Sequence, residues 1–192
     1  MDSLYSINCH FAEHLSVVKT VSELYLGLIR EAALQISQSL SHNGTVLWCG
    51  NGGSAADSQH LAAELVGRFK MHRKALRSIS LTTDTSVLTS VANDYSYEDI
   101  FSRQLEAIAR ECDTLIVLST SGNSENIIRA LKVATEMEVK TIALLGKDGG
   151  QAKSLADQVI VVPSDSTARI QEAHILIGHI LCDLIEQELS LV

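Results

Sequence analysis

Apolar residues recur at intervals of three and four positions between residues 20 and 42 of the chain. They are Val21, Leu24, Leu28, Ala32, Ile36 and Leu40. This spacing predicts an amphipathic helix. The run Thr20-Val21-Ser22-Glu23 fits a capping box and marks the predicted start of that helix. Residues 3–18 show a weaker pattern of the same kind, so we expect residues 1–43 to form a helical pair that serves oligomerisation.

Five short apolar runs follow, and none of them alternates with polar residues. They lie at residues 45–49, 78–81, 114–118, 140–145 and 158–162, with helical patterns between them. Strands of this kind are buried on both faces, which is typical of a parallel sheet covered by helices. Pro163 helps to end the last strand before a predicted helix over 167–190. We therefore predict a single α/β domain over residues 1–192, a three-layer α/β/α sandwich with a five-stranded parallel, flavodoxin-like sheet.

The net charge of −8 disfavours nucleic-acid binding, which depends chiefly on clustered Lys and Arg. Any anionic ligand must therefore be recognised locally. One basic cluster suits either the steering of an anion or an ordinary solvated loop. Its members are Arg68, Lys70, His72, Arg73, Lys74 and Arg77.

Cysteine spacing and hydropathy point to a soluble cytoplasmic protein. The four cysteines are far apart, with no CxxC pair, and no secretory apolar segment precedes them. The apolar runs are much shorter than the roughly 20 residues that a membrane helix needs.

Two loops at predicted carboxyl ends of strands are suited to binding phosphate. The first loop contains Asn51, Gly52, Gly53 and Ser54, and its glycines let the backbone approach a ligand. The second contains the four hydroxyl residues Ser119, Thr120, Ser121 and Ser124. Each loop leads into a predicted helix, whose first N–H groups attract anions. Either loop alone is compatible with a simple helix cap, but together they predict a site for a phosphorylated small molecule.

Two nucleotide-binding alternatives can be weighed against this interpretation. The chain has no G-x-x-x-x-G-K-[ST] motif, which disfavours a P-loop nucleotidase. Gly50, Gly52 and Ala55 fit the G-x-G-x-x-A pattern of a dinucleotide oxidoreductase. The ribose-binding carboxylate expected about 20 residues later is missing, and Asp84 comes too late.

Two predicted helices carry polar faces that could take part in catalysis. His60 and Glu64 lie one turn apart and could bind a metal or act as acid and base, although such pairs are common on solvated helices. Gln171 and His179 share one strip of the last helix. His174 lies on a different strip and is interpreted as a core or interface histidine.

Six short motifs together resemble the bacterial phosphoheptose isomerases of the sugar-isomerase (SIS) domain superfamily. They are CGNGGSAADSQH at 49–60, AEL at 63–65, AND at 92–94, STSGNS at 119–124, GKDGG at 146–150 and ARIQE at 168–172. The resemblance covers essentially the whole chain. Asn93 and Asp94 belong to it, although a helix C-cap would explain that pair taken alone.

This resemblance implies the conversion of sedoheptulose 7-phosphate to D-glycero-D-manno-heptose 7-phosphate through an enediol, toward the heptoses of lipopolysaccharide. It implies a cytoplasmic homotetramer with active sites between subunits. It also implies three groups of site residues. Phosphate would be held by Ser119, Thr120, Ser121 and Ser124. The sugar would be bound by Asn51, Gly52, Gly53, Ser54, Glu64, Asn93, Asp94 and Gln171. One Zn²⁺ per subunit would be bound by His60, Glu64, Gln171 and His179. Glu64 and His179 would be the catalytic base and acid.

One departure and two alternatives accompany the resemblance. Some family members carry a carboxylate at the position of Ala168, so a general role for that carboxylate is in doubt here. A non-catalytic SIS-fold protein that associates with the replication initiator is one alternative, but such relatives lack the residues matching Glu64 and His179. An isomerase of another phosphosugar is the other, because the loops indicate phosphate more clearly than sugar length.

Overall fold

A computed structural model describes residues 3–189 of the chain. Five parallel strands form one sheet in the order β2-β1-β3-β4-β5. The strands are β1 Val46–Gly50, β2 Ser78–Ser80, β3 Thr114–Ser119, β4 Lys140–Gly146 and β5 Gln158–Val162. The predicted five-stranded parallel sheet is confirmed, with strand ends shifted by at most one residue.

Helices cover both faces of the sheet. They are α1 Ser3–Ser41, α2 Gly53–Val66, α3 Thr85–Asp94, α4 Ser102–Ile108, α5 Glu125–Glu136 and α6 Thr167–Leu189, with short 3-10 turns at Tyr97–Asp99 and Gln151–Ser154. Alternate strand residues point to opposite cores, so that Trp48 packs with α1, α2 and α6 while Leu47 packs with α3, α4 and α5. The three-layer sandwich is thus confirmed.

The predicted pair of N-terminal helices is wrong, because residues 3–41 form one continuous helix. The residues of the proposed capping box bond backward within that helix instead of starting a new one. Thr20 Oγ1 donates to the Ser16 carbonyl at 3.0 Å, and Ser22 Oγ donates to the Lys19 carbonyl at 2.7 Å. Proline would have ended the helix, but the only proline of the chain is Pro163.

The sheet reverses its winding direction between β1 and β3, which are neighbours in register from Val46↔Thr114 to Gly50↔Leu118. After β1 the chain enters α2 on one face, and after β3 it enters α5 on the other. A crevice opens at such a switch point, beyond the carboxyl ends of the strands. Both glycine- and serine-rich loops lie there. Among residues 3–189, no helix is long and apolar enough to cross a membrane.

Candidate active site

Side-chain amides tie the two loops of the crevice together. Asn51 Nδ2 donates to Asn126 Oδ1 at 2.8 Å, and Asn126 Nδ2 donates to Asn51 Oδ1 at 2.9 Å. The Tyr97 hydroxyl also donates to Asn51 Oδ1, at 3.0 Å. Because Asn126 lies in the first turn of α5, these bonds hold the first loop beside the second.

The second loop wraps the N-terminus of α5 with hydroxyl groups. Ser119 Oγ accepts a hydrogen bond from the Gly122 N–H at 3.1 Å, and Ser121 Oγ accepts one from the Asn123 N–H at 3.2 Å. Each hydroxyl is the acceptor in these bonds, so its own proton can still be donated to a ligand. Ser124 is the N-cap residue of α5, yet its side chain makes no capping hydrogen bond. The loop therefore offers hydroxyls and helical N–H groups to an anion.

Glycine at position 53 allows α2 and α6 to approach each other closely. A Cβ atom built on Gly53 would overlap the side-chain amide of Gln171. The side-chain amide of Gln171 also lies beside the carboxyl of Asp57, one turn further along α2. Burial raises the pKa of Asp57, and the neighbouring Gln171 amide and His60 only partly oppose that rise. Asp57 was not among the predicted site residues; its position one turn before His60, on the same helix face, was the available signal.

Three ligating side chains converge where α2 and α6 pack together. His60 Nε2 lies 2.9 Å from His179 Nε2 and 3.4 Å from Glu64 Oε1. One suitable atom from each residue falls within 4.8 Å of the others. The Phe69 ring stacks on the imidazole of His179, with centroids 5.4 Å apart and an 18° angle between the planes.

This trio can hold a divalent metal ion. Zinc bonds to His nitrogen and carboxylate oxygen at about 2.0–2.2 Å, which puts tetrahedral ligand atoms roughly 3.3 Å apart. The two measured separations, 2.9 and 3.4 Å, are close to that value. Catalytic zinc sites commonly have three protein ligands and one open position. The donor set of His60, Glu64 and His179 therefore fits such an ion.

Gln171 lies further from the trio along α6. It precedes His179 by eight residues, about 12 Å of helix rise, and its amide lies against Gly53 and Asp57. Its role as a fourth metal ligand stays a prediction. Its contact with the first loop suits the other predicted role, in sugar binding.

The remaining predicted sugar-binding residues lie around the first loop. Asn93 and Asp94 end α3 with exposed side chains, and Asn93 Nδ2 donates to Asp94 Oδ1 at 2.8 Å. The preceding residue, Ala92, lines a cavity of about 300 Å³ together with Asn51, Gly52 and other residues. Ser54 is buried in the first turn of α2. The Asn93-Asp94 pair is thus at a helix end, as predicted, on the border of a cavity beside the loop.

His174 is the core histidine that the sequence indicated. It is fully buried, and its Nε2 lies 3.0 Å from the Leu145 carbonyl oxygen. Burial lowers the pKa of His174 to about 4, although the hydrogen bond to Leu145 opposes this. The residue is neutral at physiological pH.

The basic cluster is more than a solvated loop. Arg73 forms a salt bridge of 2.9 Å with Glu186, and Lys70 forms one of 3.1 Å with Asp183. Arg77 Nε donates to Thr45 Oγ1 at 3.2 Å. Half of the cluster therefore holds the segment after α2 against its neighbours.

Comparison with known proteins gives one consistent result. The SIS domain family model matches residues 10–146. A phosphoheptose isomerase of Helicobacter pylori strain P12 is 48% identical over 184 residues, 96% of each chain. One of Clostridium acetobutylicum is 56% identical over 165 residues, covering 86% of this chain and 84% of that one.

A solved structure agrees with these sequence matches. A phosphoheptose isomerase from Francisella tularensis superposes with a TM-score of 0.94 at 40% identity, over 97% of this chain and 100% of that one. The fold, the paired loops and the His/Glu/His trio are thus found in a chain that is similar to these enzymes along nearly all of its length. The chain belongs to the phosphoheptose isomerase family of SIS-domain proteins.

Proposed function

We propose that this chain isomerises sedoheptulose 7-phosphate to D-glycero-D-manno-heptose 7-phosphate in the cytoplasm, as the first step toward the heptoses of lipopolysaccharide core and related glycans. The observation that carries the proposal is the meeting of Glu64 and His179 across α2 and α6, with their ligating atoms within 4.8 Å. Family membership supports an aldose–ketose isomerase with this substrate.

The phosphate group would bind at the N-terminus of α5. Ser119, Thr120, Ser121 and Ser124 would donate hydroxyl hydrogen bonds to it, together with the free N–H groups of the helix. No lysine is needed for such a site. Fixing the phosphate at one end orients the sugar chain toward the first loop, so the reacting carbons meet the catalytic groups in a restricted geometry.

The sugar would lie between the first loop and the end of α3. Asn51, Gly52, Gly53, Ser54 and Gln171 would contact it from one side, with their positions fixed by the contacts described above. Asn93 and Asp94 would contact it from the end of α3.

Isomerisation requires one proton to leave C1 and another to reach C2. A base removes the C1 proton, the C–H electron pair forms the C1–C2 double bond, and the C2 carbonyl oxygen takes up a proton. The C1–C2 double-bond pair of the resulting enediol then takes up a proton at C2, while the C1 hydroxyl loses its proton to the base and its O–H electron pair forms the C1 carbonyl of the aldose. Glu64 and His179 would be the base and acid in these transfers, since a carboxylate and an imidazole can exchange protons near neutral pH.

A zinc ion would be held by His60, Glu64 and His179, with Gln171 as the predicted fourth ligand. When bound, the zinc ion would polarise an oxygen atom of the substrate. Coordination would make the Glu64 carboxylate a weaker base, and the ion would also hold the two helices together.

Two isosteric variants test the acid–base assignment. We expect Glu64→Gln and His179→Gln each to lower kcat by about 10²- to 10⁴-fold, because each removes a proton-transfer group. Glu136→Gln and His42→Gln, at exposed positions outside the crevice, should retain normal turnover. Near-normal activity in either site variant would refute the assignment.

A substrate panel tests the sugar assignment separately. Purified protein should be assayed with ketose phosphates of five, six and seven carbons under identical conditions. We expect the highest kcat/KM with the seven-carbon substrate. A preference for a shorter ketose phosphate would retain the isomerase but contradict the heptose.

We also propose that the protein is a homotetramer that uses α1 as an interface. The supporting observation is a set of large apolar side chains exposed on that helix, namely Leu4, Tyr5, Ile7, Phe11, Leu15, Leu24 and Leu26. Light scattering should give a mass four times the 20.8 kDa of the chain. Leu26→Glu should shift that mass downward, whereas Ser22→Glu, at an exposed polar position, should not. A monomer at micromolar concentration would contradict the proposal.

A further inference from the structure

A buried carboxylate holds the irregular segment between α2 and β2, residues 67–77, which we call the 67–77 loop. Glu186 Oε1 accepts a hydrogen bond from the Phe69 N–H at 2.9 Å, and its Oε2 accepts bonds from Lys70 and Met71 at 2.9 and 2.8 Å. Arg73 Nε donates to Glu186 Oε1, also at 2.9 Å. Four donors thus converge on one carboxylate, which is 2% exposed.

Arg73 connects this carboxylate to the end of α2. Its Nη2 donates to the carbonyl of Glu64 at 3.0 Å, and its Nη1 donates to the carbonyl of Leu65 at 2.9 Å. Both carbonyls belong to the last turn of α2, where backbone oxygens have no partner within the helix. The guanidinium therefore fixes the turn that carries Glu64.

Phe69 connects the same carboxylate to His179. The backbone N–H of Phe69 is bonded to Glu186, and its ring stacks on the imidazole, tilted by only 18°. The imidazole of His60 meets the same ring edge-on, with 5.1 Å between the centroids. The orientation of the His179 ring is thus restrained by two neighbouring rings.

The spacing along α6 suits this arrangement. Glu186 follows His179 by seven residues, which is close to two full turns, so both side chains lie on one face about 10 Å apart along the axis. Burial alone would raise the pKa of Glu186, but the three N–H donors and Arg73 outweigh it and lower that pKa. Glu186 is therefore ionised at neutral pH. An ionised carboxylate is rarely buried without a full set of partners.

We propose that Glu186 is a positioning residue for the isomerase reaction, which fixes His179 through Phe69 and Glu64 through Arg73 without touching the substrate. This inference rests on the proposed acid–base roles of Glu64 and His179. It predicts that loosening the 67–77 loop lowers the rate of proton transfer more than it weakens substrate binding. The phosphate and sugar loops lie on other segments, so KM should change little.

The test compares Glu186→Gln with a matched variant of another buried carboxylate. Asp113 is 3% exposed and accepts bonds from the N–H groups of Thr45 and Arg110, at the amino-terminal end of β3. We expect Glu186→Gln to lower kcat by about 10²-fold, the typical cost of a small misplacement of catalytic groups, with KM within threefold. Asp113→Asn should destabilise the fold while leaving kcat normal.

Phe69 supplies a second measurement that does not depend on the folding of Glu186→Gln. Phe69→Leu removes the stacked ring and should lower kcat, while Phe69→Tyr keeps a flat ring there and should retain more turnover. In the NMR spectrum of ring-labelled histidine, the ring current of Phe69 should shift the His179 ring protons. That shift should be lost in Phe69→Leu and reduced in Glu186→Gln, but kept in Asp113→Asn.

The outcomes separate this inference from the proposed function. Suppose that Glu64→Gln and His179→Gln are inactive, while folded Glu186→Gln keeps a kcat within twofold of the wild type. That result would overturn the positioning role of Glu186 and leave the proposed function standing. An unchanged His179 ring-proton shift in Glu186→Gln, or normal kcat in Phe69→Leu, would also overturn it. Near-normal turnover in Glu64→Gln or His179→Gln would remove the premise, and with it the inference.

Discussion

The buried histidine on α6 makes a quantitative prediction about acid stability. His174 is fully buried, with a pKa lowered to about 4 from its ordinary value of 6.5. Its Nε2 faces the Leu145 carbonyl, and its Nδ1 lacks a hydrogen-bond partner among the described residues. Protonation would place an unbalanced charge between the sheet and α6. The neutral form is therefore the one compatible with the fold.

The sign and size of the effect follow from proton linkage. Between pH 6.5 and 4 the unfolded chain carries a proton on His174 that the folded chain does not, so stability falls as the pH falls. The contribution is fully present above pH 6.5. At 1.36 kcal/mol per pKa unit, lowering the pH from 7.5 to 4.5 should cost about 2.5 kcal/mol from this residue. That is a large share of a typical stability of 5–15 kcal/mol.

Urea denaturation can isolate this contribution. Trp48, the only tryptophan of the chain, is fully buried and reports unfolding by fluorescence. The wild type and His174→Gln should be compared from pH 7.5 to 4.5 at one fixed protein concentration, since oligomers couple stability to concentration. Glutamine keeps an N–H donor but does not titrate. Carboxylates titrate in both proteins, so their effects cancel in the difference.

We expect the wild type to lose about 2.5 kcal/mol more than His174→Gln over this range. Parallel curves for the wild type and His174→Gln would refute the reasoning, because they would mean that the buried ring takes up a proton as readily in the folded state as in the unfolded one.

Three further predictions concern the contact between α2 and α6 and the metal. Gly178→Ala should gain about 1 kcal/mol in helix propensity, but its Cβ would collide with buried Leu61 at a cost of about 1–3 kcal/mol. We therefore expect lower stability and lower kcat, and a more stable, fully active variant would contradict this. Gly53→Ala should displace Gln171 and lower kcat/KM by roughly tenfold or more, whereas unchanged kinetics would mean that the contact is dispensable. Thorough chelation, verified by metal analysis, should abolish turnover until zinc is restored; activity that survives it would count against a catalytic ion.

The sheet and the loops at its edge could be predicted from local patterns. The last strand, Gln158–Val162, was predicted to the residue, because an unbroken apolar run between turn signals has few other structures open to it. Local patterns also explain why the prediction of two N-terminal helices was wrong. A capping box is a local signal, but the hydroxyls of Thr20 and Ser22 donate to backbone carbonyls within one continuous helix instead of starting a new one.

Local sequence patterns predict which chemical groups the protein offers and which side of a helix or strand they occupy. Periodicity put His60 and Glu64 on one helix face and Gln171 and His179 on another. It could not bring those faces together, because the two histidines are 119 residues apart and meet only through the packing of α2 on α6. Nor could it identify Glu186, whose partners are three backbone N–H groups of a loop and the Arg73 side chain, 113 residues away. Such contacts between distant segments form only when the chain packs in three dimensions.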